Sequence, residues 1–134
     1  MRVVGFLQPF TGQVRTWDYL EVTAPRFAQT LKQMVKLYSK YEKIYIILDN
    51  WSVHFHAQVQ EILTQNPRLE LVPLPTYSPW LNPIEKVWKW CRQMLTHAHP
   101  WSDNFLTYRQ KVRDQFLSLQ HGSNEILQYT GLLR

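Results

Sequence analysis

Cysteine is almost absent: Cys91 is the single thiol among 134 residues. That excludes a disulfide framework within the chain and a cysteine-based zinc site, and it fits a reducing compartment. Glycine is sparse too, at 4, so collagen-like and low-complexity readings fall away. Long hydrophobic runs are missing. The longest, Ile44–Leu48, is far short of the ~20 residues that span a bilayer. Arg2 precedes only a short apolar stretch broken by Gln8 and Pro9, which is not a signal-peptide pattern. Acids are scarce: Asp plus Glu number 10 against 15 Lys plus Arg, a net charge of +5. Such a balance points towards polyanions, most often nucleic acid. What is present is enough for a core, with 45% apolar residues and 14% aromatic ones. The length suits one domain.

Periodicity gives the element order. Val3, Val4, Phe6 and Leu7 form a β-rich run, Pro9-Phe10-Thr11-Gly12 reads as a tight turn, and Gln13–Val22 alternates; together they predict a hairpin. Thr23 can cap a helix carrying Phe27, Leu31, Met34, Val35 and Tyr38 on one stripe. Ile44–Leu48 is continuous and β-branched, which predicts a buried strand parallel to a neighbour. A helix over Ala57–Gln65, stopped by Asn66-Pro67, separates it from a short strand marked by Leu69 and Leu71. After a proline-punctuated loop, Asn82 is placed to cap a helix with Pro83 at its first position and Ile84, Val87, Trp88, Cys91 and Leu95 on its apolar face. Ser102 is expected to cap a last long helix ending at Gly122, followed by a short helical tail. The result is an α/β layered domain with a mixed sheet, whose ligands gather beyond the carboxyl ends of parallel strands.

Two of the few acids have unusual settings. Asp49 ends the apolar strand, where a charge is costly unless it pairs, binds a cation or faces a wet cleft. Glu85 lies in the first turn of a helix behind Tyr77-Ser78-Pro79-Trp80-Leu81-Asn82-Pro83. Thirty-five residues lie between them, enough for one helix, one strand and one loop to return to the same sheet end. Two converging carboxylates, with waters and a phosphate, would suit Mg²⁺. Plainer readings stand beside this. Glu85 follows Asn82 by three, the spacing of a capping box, and Asp49-Asn50 is a common strand-ending turn. His54, His56, His97 and His99 read as surface or loop residues, and Cys91 as core. Lys86, Lys89 and Arg92, at i, i+3 and i+6, form either a solvated face or a phosphate-contacting one. Trp80 and Trp90 can be exposed for stacking on bases or on another chain.

The strings IYIILDNWSVH (Ile44 to His54) and LPTYSPWLNPIEKVWKW (Leu74 to Trp90) resemble the catalytic core of DDE transposases, in the insertion-sequence group related to mariner elements. The resemblance covers nearly the whole chain. It implies a ribonuclease H-like three-layer fold and a two-metal site holding Mg²⁺, with Mn²⁺ as substitute, for phosphodiester cleavage and strand transfer in DNA transposition. Asp49 matches the family's second acid and Glu85 its third, while Asn50, His54 and Asn82 match neighbours of that site. The family's first Asp sits on a first strand that residues 1–134 lack, and Asp18 does not match it. The chain thus reads as a single, N-terminally truncated catalytic domain, with weak or absent activity on its own. The resemblance further implies transposon-end and target DNA as partners, with contacts from Lys86, Lys89 and Arg92, and the cytoplasm and nucleoid of a prokaryote as location. The lost strand implies a homodimer or strand exchange, or pairing with an upstream transposase fragment. Two other readings are a non-enzymatic module that binds DNA or transposase, and a ribonuclease or junction nuclease using Asp18 or Glu21.

Overall fold

The computed structural model describes residues 2–49, 52–76, 78–96 and 105–133. The chain divides into two compact units. One holds Asp18–Asn82 with the first three residues; the other holds Val4–Trp17 and Pro83–Arg134.

In the first unit, helix α1 (Ala24–Leu37) opens as predicted. Thr23 has extended backbone, and its hydroxyl accepts the Arg26 N–H. Phe27, Leu31 and Met34 of the expected stripe are buried, with Ala28 and Thr30 beside them. The side chain of Arg68 secures the far end of α1, donating to the carbonyls of Val35 (2.5 Å), Tyr38 (2.9 Å) and Tyr41 (2.8 Å). A guanidinium satisfies carbonyls that a helix end leaves without intrahelical partners.

Strands β3 (Ile44–Leu48) and β4 (Leu69–Pro73) pair in parallel, Ile44 opposite Leu69 and Leu48 opposite Pro73. Between them come a 3₁₀ turn (Ser52–Phe55) and helix α2 (Ala57–Gln65), capped by His56, whose Nδ1 accepts the Gln58 N–H at 3.2 Å. Val59 and Ile62 of α2 are buried, as are Ile44, Ile46, Leu48 and Leu69. With the buried face of α1, these residues make the core of the unit. The expectation that β3 is buried throughout is corrected. Only alternate residues are covered, leaving Tyr45 and Ile47 63% and 58% exposed and Val72 of β4 39% exposed. A continuous apolar run permits burial on both faces, but burial also needs a layer to lie on each.

The hairpin is formed by β1 (Arg2–Leu7) and β2 (Val14–Tyr19). Its turn closes through Gln8 N–H to Gln13 O (2.8 Å) and Gly12 N–H to Gln8 O (3.0 Å). Gly12 has φ +74, and a Cβ there would stand 2.3 Å from the Ser123 carbonyl oxygen, so both backbone angle and space demand glycine. Among the described residues the strands thus form two separate two-stranded sheets, β1–β2 and β3–β4, where one mixed sheet was expected.

The rest of the second unit is helical: α3 (Ile84–Thr96), α4 (Phe105–Leu119) and α5 (Asn124–Thr130). Its core includes Val14, Val87, Cys91, Val112, Phe116, Leu119, Ile126 and Leu127. Trp88 meets Phe116 edge to face, 5.9 Å between centroids. The same indole fills the space over Gly5, where a Cβ would fall 2.3 Å from the ring. Ser123 caps α5 and left-handed Gly131 (φ +78) ends it, giving the expected helical tail. Ser102, expected to cap α4, lies outside the described residues, as do His97 and His99.

Candidate functional site

Asp49 directly follows β3. The Leu48 carbonyl accepts the Leu74 N–H at 2.7 Å, so the parallel strands end together and Asp49 stands at their carboxyl end. Strand alternation puts its side chain on the face of Tyr45 and Ile47, and it is exposed. It therefore escapes the desolvation cost of a buried carboxylate. Asn50 lies outside the described residues. His54 falls in the 3₁₀ turn that follows. His56, read from sequence as a loop residue, is an N-cap.

Glu85 belongs to the second unit. The Pro83 carbonyl accepts from Lys86 (3.1 Å) and Val87 (3.4 Å), so the first bonds of α3 begin at Pro83, one residue later than the predicted cap Asn82. Glu85 is then the second helical residue, not the third that a capping box requires. It is exposed in the first turn, where the helix dipole favours a carboxylate. Asn82 is half-buried and engaged in contacts of its own.

Lys86, Lys89 and Arg92 are all exposed on α3, but they do not act as one row. Tyr129 Oη donates to Gln93 Oε1 at 3.1 Å, and the Lys86 ammonium lies 3.9 Å from the Cβ position of Gly131. Lys86 is thus turned towards the carboxyl end of α5, where a cation offsets the helix dipole. Lys89 and Arg92 share a face with Glu85, at i+4 and i+7. Cys91 is buried, and burial pushes its thiol up to about 11, with Arg92 pulling the other way. It is a protonated core thiol, as the sequence suggested. Trp80 is 72% exposed on a 3₁₀ turn (Pro79–Leu81), whereas Trp90 is half-buried.

Asp49 in the first unit and Glu85 in the second are each exposed, and each offers the hard oxygen that a divalent cation takes. Among the described residues no group of three or more His, Cys, Asp or Glu side chains is placed to hold a metal. No helix among them is long and apolar enough to cross a membrane.

Comparison with known proteins converges on one family. The family described as DDE superfamily endonuclease matches residues 1–105, an interval that includes both Asp49 and Glu85. An uncharacterized 39 kDa protein of insertion element IS630 from Shigella sonnei is 29% identical over 97 residues, which are 72% of this chain and 28% of that protein. The chain therefore spans a little over a quarter of this curated relative. Among solved structures, the catalytic domain of Mos1 mariner transposase aligns with 97% of this chain and 66% of its own at 16% identity, with a TM-score of 0.66. The Mos1 paired-end complex with Mn aligns with 98% of this chain and 40% of its own, also at 16% identity, with a TM-score of 0.63. The fold is thus similar to that of a mariner transposase catalytic domain, and the chain belongs to the DDE superfamily of endonucleases.

Proposed function

We propose that residues 1–134 are the carboxyl-terminal part of a transposase catalytic domain with a ribonuclease H-like fold, and that Asp49 and Glu85 are two of its three metal-holding acids. Bound Mg²⁺, or Mn²⁺ in its place, would supply activation of the attacking oxygen and stabilisation of the leaving one on a phosphodiester. The chain's own residues hold the cation and position DNA. Asp49 and Glu85 offer hard oxygens, while Asn50, His54 and Asn82 flank them. Lys89 and Arg92, with Lys86 at their side, meet phosphates. The observation that carries this reading is the exposure of both carboxylates, one at the carboxyl end of a parallel strand pair and one in a helix's first turn. Support for DNA as partner comes from relatives solved as a paired-end complex with Mn and as one with the left transposon end.

Asp18 does not match the family's first Asp, and on this reading residues 1–134 by themselves cleave DNA weakly or not at all. A second copy or an upstream transposase fragment completes the sheet. The working location is the nucleoid of a prokaryotic cytoplasm. A second reading, which the net charge of +5 favours, is a module that binds DNA or transposase without chemistry. Titration with Mn²⁺, followed by electron paramagnetic resonance, separates the two. Asp49→Asn and Glu85→Gln should each weaken binding about tenfold or more. Unchanged Mn²⁺ affinity in both variants would remove the metal site and leave the binding module.

A further inference from the structure

Two 3₁₀ turns leave the same end of the first unit, and each displays an aromatic ring to solvent. The Leu48 carbonyl accepts the Leu74 N–H at 2.7 Å, so the loops that follow β3 and β4 start side by side at their carboxyl end. Phe55 lies six residues past Asp49, and Trp80 six past Leu74. Phe55 ends the turn Ser52–Phe55, which the His56 N–H fastens to the Val53 carbonyl at 3.3 Å. Trp80 is the middle residue of the turn Pro79–Leu81, where the Leu81 N–H donates to the Ser78 carbonyl at 3.1 Å. Phe55 is 47% exposed and Trp80 72%. Such exposure is unusual for an indole, a side chain that is highly buried on average. The other described tryptophans behave differently: Trp17 and Trp88 meet Phe6 and Phe116 edge to face, and Trp90 is half-buried.

We propose that Phe55 and Trp80 are a stacking platform for the unpaired bases of a single DNA strand, at the strand end that carries Asp49. The inference deepens the DNA reading above and rests on it. Both rings sit on short turns already closed by backbone hydrogen bonds, and Pro79 and Pro83 restrict the chain on either side of Trp80. Little order therefore has to be gained on binding. Residues 75–83 carry no charged side chain. That loop is suited to base faces, not to phosphates, and every base has a π-face to offer. The net charge of +5 draws the polyanion in. A protein in the same place would fit less well. A dry interface over both rings would take the exposed Asp49 carboxylate out of water, whereas a stacked strand leaves that end of the sheet wet.

Fluorescence anisotropy of the intact chain tests this with two labelled strands of about 20 nucleotides, one carrying bases and one abasic. The two ligands have the same phosphates, so only the bases distinguish them. The native chain should bind the base-bearing strand about tenfold or more tightly than the abasic one. Trp80→Ala and Phe55→Ala should each remove most of that preference, while abasic affinity changes by less than about twofold. Unchanged abasic binding also reports that the variants are folded. Trp80→Phe should keep most of the preference, because a ring remains. Failure of the native chain to bind either strand at low salt overturns both the inference and the DNA reading. Equal affinity for the two strands, or a preference that survives either alanine variant, overturns the platform and leaves DNA binding standing. Self-association in sedimentation velocity that Trp80→Ala abolishes, with no preference for bases, assigns the rings to a protein partner and overturns the platform as well.

Discussion

Replacing Arg68 with methionine keeps most of the apolar stem and removes the guanidinium donors at the end of α1, while the Tyr41 N–H still donates to the Tyr38 carbonyl at 3.2 Å. Three carbonyls lose a partner. Those of Val35 and Tyr38 are part-buried, whereas the Tyr41 contact is exposed. Water can replace the guanidinium at Tyr41, so that bond counts for little. A part-buried hydrogen bond from a charged donor is worth about 1–1.5 kcal/mol net once partial exposure is allowed for, so the two together give about 2–3 kcal/mol. In a chain of this size the melting temperature should fall by about 8–12 °C. Arg68→Lys, with one ammonium able to reach one or two of the carbonyls, should recover about half. Urea unfolding followed by far-ultraviolet circular dichroism measures the loss. Hydrogen exchange should place it in the last turn of α1, at Leu37 and Tyr38. An Arg68→Met chain within about 0.5 kcal/mol of the native one would refute the claim that this side chain secures the helix end.

Three further outcomes follow from the second unit. Gly5→Ala puts a methyl into the Trp88 ring and should destabilise by about 1–3 kcal/mol in thermal melts, with Trp88→Phe relieving part of the loss. Cys91 keeps its proton in the folded chain up to about 11 against an ordinary 9.0. Its contribution is fully present below pH 9 and is lost as pH rises through 11; the urea midpoint should fall across that window, less so in Cys91→Ala, and the native thiol should resist disulfide reagents at pH 8. For DNA binding, Lys89→Ala and Arg92→Ala should each reduce the slope of log affinity against log salt by about one. Lys86→Ala should reduce it less, because its ammonium faces the end of α5; equal slopes for all three variants would count against that placement.

Local physical chemistry made much of the chain legible in advance. Thr23 as a cap, Pro9–Gly12 as a tight turn, Gly122 as a helix stop with φ +82, and α1 as an amphipathic helix follow from rules that act within a few residues. The two strings around Asp49 and Glu85 pointed to the DDE superfamily, because a loop of that composition ahead of a basic helix is hard to reach by chance. The order of strands and helices, including the parallel β3–β4 pair, was also readable. A short β-branched run separated by one helix from a second such run has few other ways to pair.

Tertiary structure decided the rest. Hydrophobicity says that β3 can be buried, but only the layers around it decide that Ile44, Ile46 and Leu48 are covered while Tyr45 and Ile47 face solvent. Arg68 looked like any basic residue before a strand, and its task at the end of α1 depends on carbonyls some thirty residues away. Lys86 matched Lys89 and Arg92 in spacing, yet the packing of α5 on α3 gave it a separate role. The sequence carries what each residue is able to do. Which of those abilities is used depends on neighbours that arrive from distant parts of the chain.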